Sequence, residues 1–66
     1  MNLLQHLQVF VRVVESGSFS RAAEHMGLAA SSVTASVQKL EASLGTRLLQ
    51  RTTRQVRPTA DGEQLY

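Results

Sequence analysis

Cysteine is absent from the 66 residues. That excludes disulfide staples and a thiolate metal site. The two histidines, His6 and His25, lie 19 positions apart with no partner at ligand spacing. No metal ligand set is expected. No apolar run approaches the ~18 residues that a bilayer-spanning helix needs. The start of the chain shows no basic segment followed by an apolar stretch and a small-residue cleavage site, so no signal peptide is expected. A cytoplasmic protein without membrane contact is the default. Repeats and low-complexity segments are missing too. At this length there is room for one domain with a small core.

Charge is sparse, with a net of +2, but it is unevenly placed. In Met1 to Gln38, Arg12 and Arg21 balance Glu15 and Glu24. From Lys39 to Arg57, five cations (Lys39, Arg47, Arg51, Arg54 and Arg57) face Glu41 alone, a net of +4. Asp61 and Glu63 follow. A short basic block of this kind suits a polyanion, although a solvated basic face would read the same way.

What is present is helical periodicity. Leu3, Leu7, Phe10 and Val14 share one face, with Leu4 and Val11 beside it. Asn2 as a cap and Gly17 as a stop predict a helix over 3–16. Ser18 can cap a second, short helix, "FSRAAEHM", whose Ala22 and Ala23 allow close crossing. Gly27 ends it, and Leu28 is expected to turn inward. A third helix is predicted over 31–44, with Val33, Val37, Leu40 and Leu44 as its buried stripe. Its valines and hydroxyl residues give it weak intrinsic propensity, so packing must hold it.

The period changes in "RLLQRTTRQVRPT". Leu49, Arg51 and Val56 alternate with polar residues around "TTRQ", which predicts a two-stranded hairpin. Pro58 should end a strand or sit on an edge. Thr59 can cap a last helix, "ADGEQLY", with Asp61 and Glu63 in its first turn and Gly62 weakening it. This helix breaks off at Tyr66 without a stop signal, so the chain is expected to be a piece of a longer protein. The fold class is mainly α: a three-helix winged helix-turn-helix with a two-stranded β wing and the start of a linker helix. The expected division is a winged helix-turn-helix over 1–58 and the start of a linker (dimerisation) helix over 59–66.

Three segments, "SGSFSRAA", "LEASLGTRLLQRTTR" and "PTADG", in this order, resemble the N-terminal DNA-binding domain of LysR-type transcriptional regulators. The resemblance runs over nearly the whole chain. It implies a bacterial transcription factor and double-stranded DNA as partner. It further implies a longer chain with a linker helix that pairs two subunits into a homodimer or higher oligomer. A small-molecule effector belongs to a missing C-terminal domain, and no cofactor to this part.

The third helix would then read the major groove. Opposite its core stripe lie Ser31, Thr34, Ala35, Gln38 and Ala42. The resemblance places base contacts at Ala30, Ser31, Thr34 and Ala35, and Gln38 has the reach to join them. The chain departs from the family pattern here. Ala29, Ala30 and Ser31 stand where Ser, Gln and Pro are common, and Ala35 where Arg is common. The usual long donors and the usual cap are both lost, so Ser31 or Ser32 is expected to cap a helix that starts slightly late. Small residues can approach base edges and thymine methyls closely, with DNA shape supplying much of the specificity.

The resemblance carries Arg54 toward the minor groove on the wing and Arg51 toward the backbone; Arg57 is a further phosphate candidate. Ser18, Ser20 and Arg21, at the start of the second helix, suit a phosphate, with capping as the plain role for Ser18. Lys39 and Arg47 are expected to flank this surface or pair with Glu41 and Glu63. Catalysis is not expected: no nucleophile-elbow pattern surrounds a serine, His6 reads as partly exposed packing, and Asp61 and Glu63 fit a helix start. Two other readings remain at this point. One is a winged helix used for protein contact, for which Leu48, Leu65 and Tyr66 are the exposed apolar candidates. The other is a low-specificity DNA-binding module of another protein.

Overall fold

The structure, a computed structural model, describes residues 3–51 and 56–66, with Arg51 described in its backbone alone. Helix α1 spans Leu3–Ser16, α2 Phe19–Met26 and α3 Ala30–Leu44. Strands β1 (Leu49–Arg51) and β2 (Val56–Pro58) pair antiparallel, and α4 covers Ala60–Leu65. The register sets Leu49 opposite Pro58, Gln50 opposite Arg57 and Arg51 opposite Val56. The expected winged helix-turn-helix is thus formed. The cap at Asn2 and the hairpin centre at 52–55 lie outside the described residues.

Local signals account for most of the helix ends. The Ser18 hydroxyl accepts the Arg21 N–H at 3.3 Å, closing the start of α2. Gly27 has φ +67° and Gly45 φ +68°, the left-handed conformation that costs an L side chain energy and glycine little. Around Gly27 the Leu28 N–H reaches back to the Ala23 carbonyl at 2.9 Å, the six-residue return of a helix C-cap. Thr59 caps α4, its Oγ1 accepting the Gly62 N–H at 3.1 Å.

The core comes from every layer of the fold. Val9, Phe10 and Val13 from α1 meet Ala22 and Ala23 from α2, and Val33, Val37 and Leu40 from α3, with Leu48 and Leu49 closing the base of the wing. Phe10, Val13, Ala22, Val33 and Leu40 have no solvent exposure. Each large apolar side chain buried this way contributes about 1.5–3 kcal/mol, which holds α3 despite its weak propensity. The buried alanines of α2, small at the crossing, let the helix axes approach closely.

Several expectations fail at the ends of elements. Helix α1 turns a different face inward: His6, Val9, Phe10 and Val13 are buried, Leu7, Val11 and Val14 only partly so. Leu3 and Leu4 are exposed, although His6 in the same first turn is buried. His6, read as partly exposed, is buried, and its Nδ1 has no hydrogen-bond partner among the described residues. A buried polar atom left so costs about 1–3 kcal/mol. Leu28 does not turn inward and is 38% exposed, its backbone N–H being held by the cap while its side chain stays out. Leu44 is 46% exposed, at the last residue of α3 before the chain turns at Gly45.

Helix α3 starts at Ala30, not late. Ala29 takes the N-cap place with φ −74° and ψ 147° and makes no side-chain cap bond. Neither Ser31 nor Ser32 acts as the cap; the Ser32 and Val33 N–H groups go to the Ala29 carbonyl at 3.0 and 3.2 Å. Leu48, a candidate for an exposed apolar contact, is buried at 1%. Of the other two candidates, Leu65 and Tyr66 are exposed, and the Tyr66 hydroxyl donates to Glu15 Oε2 at 3.3 Å. Desolvation and then that carboxylate raise the Tyr66 pKa above the usual phenol range.

Candidate nucleic-acid interface

The outward face of α3 is built by the same rotation that builds its core. Steps of about 100° per residue put Val33, Val37 and Leu40 on one side, with Ser36 buried among them. The other side then collects Ala30, Ser31, Ala35 and Gln38, all exposed, with Thr34 half-buried at the margin. All five residues proposed for base edges therefore share one accessible face. It is low in relief, because four of the five side chains are small.

Beside this face the wing supplies the second wall of a groove. Thr34, Val37, Gln38 and Glu41 of α3, Arg47, Leu49 and Gln50 at the root of the wing, and Phe19 of α2 line it together. The groove encloses about 490 Å³. Gln50 and Arg57 sit opposite each other in the register, and directly opposed residues of an antiparallel pair share a sheet face. Arg57 therefore lies on the same face of the wing as the groove-lining Gln50, and it is exposed.

The other cations divide as follows. Arg21, Lys39 and Arg47 are exposed. Arg51 ends β1, with its side chain outside the described residues, and Arg54 lies outside them altogether. At the start of α2, Ser18 is half-buried and its oxygen is engaged by the Arg21 N–H, whereas Ser20 and Arg21 are exposed. The end of α2 that carries these residues is the one whose Phe19 lines the groove, so the phosphate candidates of α2 adjoin the face of α3.

Glu41, one of the acids with which Lys39 or Arg47 could pair, uses a carboxylate oxygen to hold backbone amides. Its Oε2 accepts the Leu48 N–H at 2.8 Å and the Leu49 N–H at 3.2 Å. Glu41, Gln50 and Phe19 are thus groove residues that sequence reasoning missed. Strand alternation signalled Gln50, because Leu49 points inward and its neighbour must point out. Nothing local signalled Glu41, whose partners lie 7 and 8 residues on. Among the described residues no group of three His, Cys, Asp or Glu could hold a metal, and no helix is long and apolar enough to cross a membrane.

An exposed helix face beside a basic two-stranded wing, on a three-helix core, defines a winged-helix DNA-binding domain, a class with no catalytic apparatus. Residues 4–63 match the family described as bacterial regulatory helix-turn-helix protein, lysR family, and the chain belongs to that family. It is 55% identical over 62 residues to the HTH-type transcriptional regulator CrgA of Neisseria meningitidis, covering 94% of this chain and 21% of that protein. It is 47% identical over 66 residues to the probable HTH-type transcriptional regulator LtrA of Klebsiella pneumoniae, covering all of this chain and 21% of that protein. The chain thus spans about a fifth of the length of these relatives. Among solved structures, a complex of the BenM DBD with catB site 1 DNA superposes with a TM-score of 0.92 at 41% identity, covering 100% of this chain and 72% of that one. The full-length Vibrio cholerae virulence activator AphB matches with a TM-score of 0.92 at 36% identity, covering 100% of this chain and 22% of that one.

Proposed function

We propose that this domain binds double-stranded DNA with the start of α3 in the major groove and the wing beside the minor groove. Ala30, Ser31, Thr34, Ala35 and Gln38 meet base edges. Ser18, Ser20, Arg21, Arg51, Arg54 and Arg57 meet phosphates or the minor groove. The observation that carries this reading is that two surfaces share a border: Thr34 and Gln38, from the exposed face of α3, line one groove together with Arg47 and Gln50 at the root of the wing. The solved DNA complex of BenM, on the same fold, supports it.

With Ala35 and Ala30 in place of long donors, the face reads thymine methyls and groove shape more than hydrogen-bond pattern. Residues 1–58 form the DNA-binding unit, and 59–66 begin a linker helix that pairs two subunits. The whole protein is a homodimer or higher oligomer in the bacterial cytoplasm. A domain C-terminal to these residues binds a small effector.

Fluorescence anisotropy over a range of salt concentrations tests the interface. With about three phosphates neutralised per domain, log K falls against log salt with a slope of about −3. Arg54→Ala weakens binding to all sequences and lowers that slope by about 0.9. Thr34→Ala leaves the slope unchanged and alters the ranking among sites selected from a random pool. An Arg54→Ala variant with the parent's affinity and slope removes the wing from the interface.

A further inference from the structure

A carboxylate lines the very groove that the DNA-binding reading turns toward a polyanion. Glu41 shares it with Thr34, Gln38, Arg47 and Gln50. By charge alone it repels phosphate, so its presence there calls for a compensating role.

Its bonds supply one. The Gly45 and Thr46 N–H groups both end on the Glu41 carbonyl, the latter at 3.2 Å. The Leu48 and Leu49 N–H groups both end on its single carboxylate oxygen Oε2. The chain that leaves α3 and enters β1 is therefore wrapped around one residue. On its far side the same stretch is also tied down: the Leu48 side chain is buried, and its carbonyl accepts the Thr59 N–H at 2.9 Å. Strand β2 packs against α1 and α4, whereas the polar link from α3 to β1 runs through Glu41.

We infer that Glu41 is a positioning residue for DNA binding: its carboxylate clamps the root of the wing to α3 and so sets the wing at the height and angle at which both reach one duplex. The inference rests on the DNA-binding reading above. Hydrogen bonds from backbone amides to an ionised acceptor are about twice as strong as neutral ones, which suits a clamp. Because both amides use one oxygen, the carbonyl of a glutamine satisfies the same geometry without the charge.

The two effects of Glu41 have opposite signs, and this separates them. If the residue acted on DNA by charge alone, Glu41→Ala and Glu41→Gln would both bind more tightly than the parent. The clamp requires Glu41→Ala to bind about three- to tenfold more weakly, with the salt slope reduced by about 0.9 for each wing phosphate contact given up. Glu41→Gln binds at least as tightly as the parent.

The probe is a fluorescein-labelled pool of random-sequence duplexes titrated with the full-length protein. Amide hydrogen exchange is measured in parallel. In Glu41→Ala the Leu48 and Leu49 amides lose protection while those of α1 keep theirs. Affinity of Glu41→Ala at or above the parent's overturns the inference, as does equal weakening in both variants or unchanged exchange at Leu48 and Leu49. Should Glu41→Ala fail to fold, Glu41→Asp decides: it keeps the charge and loses the reach, so weaker binding with faster exchange at Leu48 and Leu49 supports the clamp, and parental affinity with both amides still protected overturns it. If the parent itself does not bind the pool, the DNA-binding reading falls, while exchange at Leu48 and Leu49 still reports on the clamp.

Discussion

Gly62→Ala should destabilise this domain, although helix propensity alone says the reverse. Gly62 lies inside α4, where alanine is favoured over glycine by about 1 kcal/mol. A Cβ at that position, however, overlaps the Leu48 carbonyl oxygen and comes within 3.0 Å of its carbon and 3.3 Å of the Leu48 Cα. The obstacle is backbone, so no rotamer change relieves it. The same carbonyl accepts the Thr59 N–H, which pins it from the other side. Helix α4 must shift as a body. Steric insertion of this kind costs about 1–3 kcal/mol.

Bonds at the foot of α4 are strained with it. Thr59 Oγ1 donates to the Arg47 carbonyl at 2.6 Å, and Thr46 Oγ1 to Asp61 Oδ2 at 2.6 Å. Each contributes about 0.5–1.5 kcal/mol. After the propensity gain is subtracted, the clash leaves a loss of about 0–2 kcal/mol, and losing both bonds brings the total to about 1–5 kcal/mol. At about 0.05–0.15 kcal/mol per residue, a domain of this size holds about 3–10 kcal/mol in all, so the loss is a large fraction.

Urea unfolding followed by circular dichroism reads the midpoint, and hydrogen exchange at Thr59 reads the local joint. Gln64→Ala, at an exposed position of the same helix, serves as the control and should change stability by less than about 0.5 kcal/mol. A Gly62→Ala protein as stable as the parent, with the Thr59 amide still protected, would refute the close approach of α4 to the wing.

Two further outcomes concern the helical core. Ala29→Ser should raise stability by about 1 kcal/mol, because the backbone there already has N-cap geometry and lacks a side-chain acceptor; an unchanged urea midpoint would count against it. Phe10→Ala, at a side chain with no solvent exposure, should cost about 3–5 kcal/mol, leaving much of the population unfolded at room temperature. A cooperative near-ultraviolet melt at the parent's temperature would show that Phe10 is not central to the core.

Helix α1 over 3–16 and α2 over 19–26 were legible because their signals are local: an apolar period, a serine that caps, and a glycine where the chain turns left-handed. The wing was legible from the change of period around Leu49 and Val56, and Thr59 from its place before an acidic first turn. The accessible face of α3 followed from the same rotation that placed Val33, Val37 and Leu40 inward.

The misjudged residues share a different cause. Leu28 and Leu44 have the period of a core yet stay 38% and 46% exposed; how far another element covers a side chain is not written in its own period. His6 was misread for the converse reason, being a polar residue on a face that other elements enclose. Ala29 caps α3 in backbone geometry without the side chain by which a cap is recognised, so the start was read a residue late.

By itself, then, the order of residues determined the elements, their boundaries to within a residue at α3, and which side of the third helix faces out. These depend on torsional preference and period, which act over a few residues. The tertiary structure alone decided that Glu41 holds the root of the wing and that Gly62 must have no side chain. Both follow from contact between backbone segments that are separated along the chain, and steric exclusion and amide geometry at such a contact exist only once the segments meet.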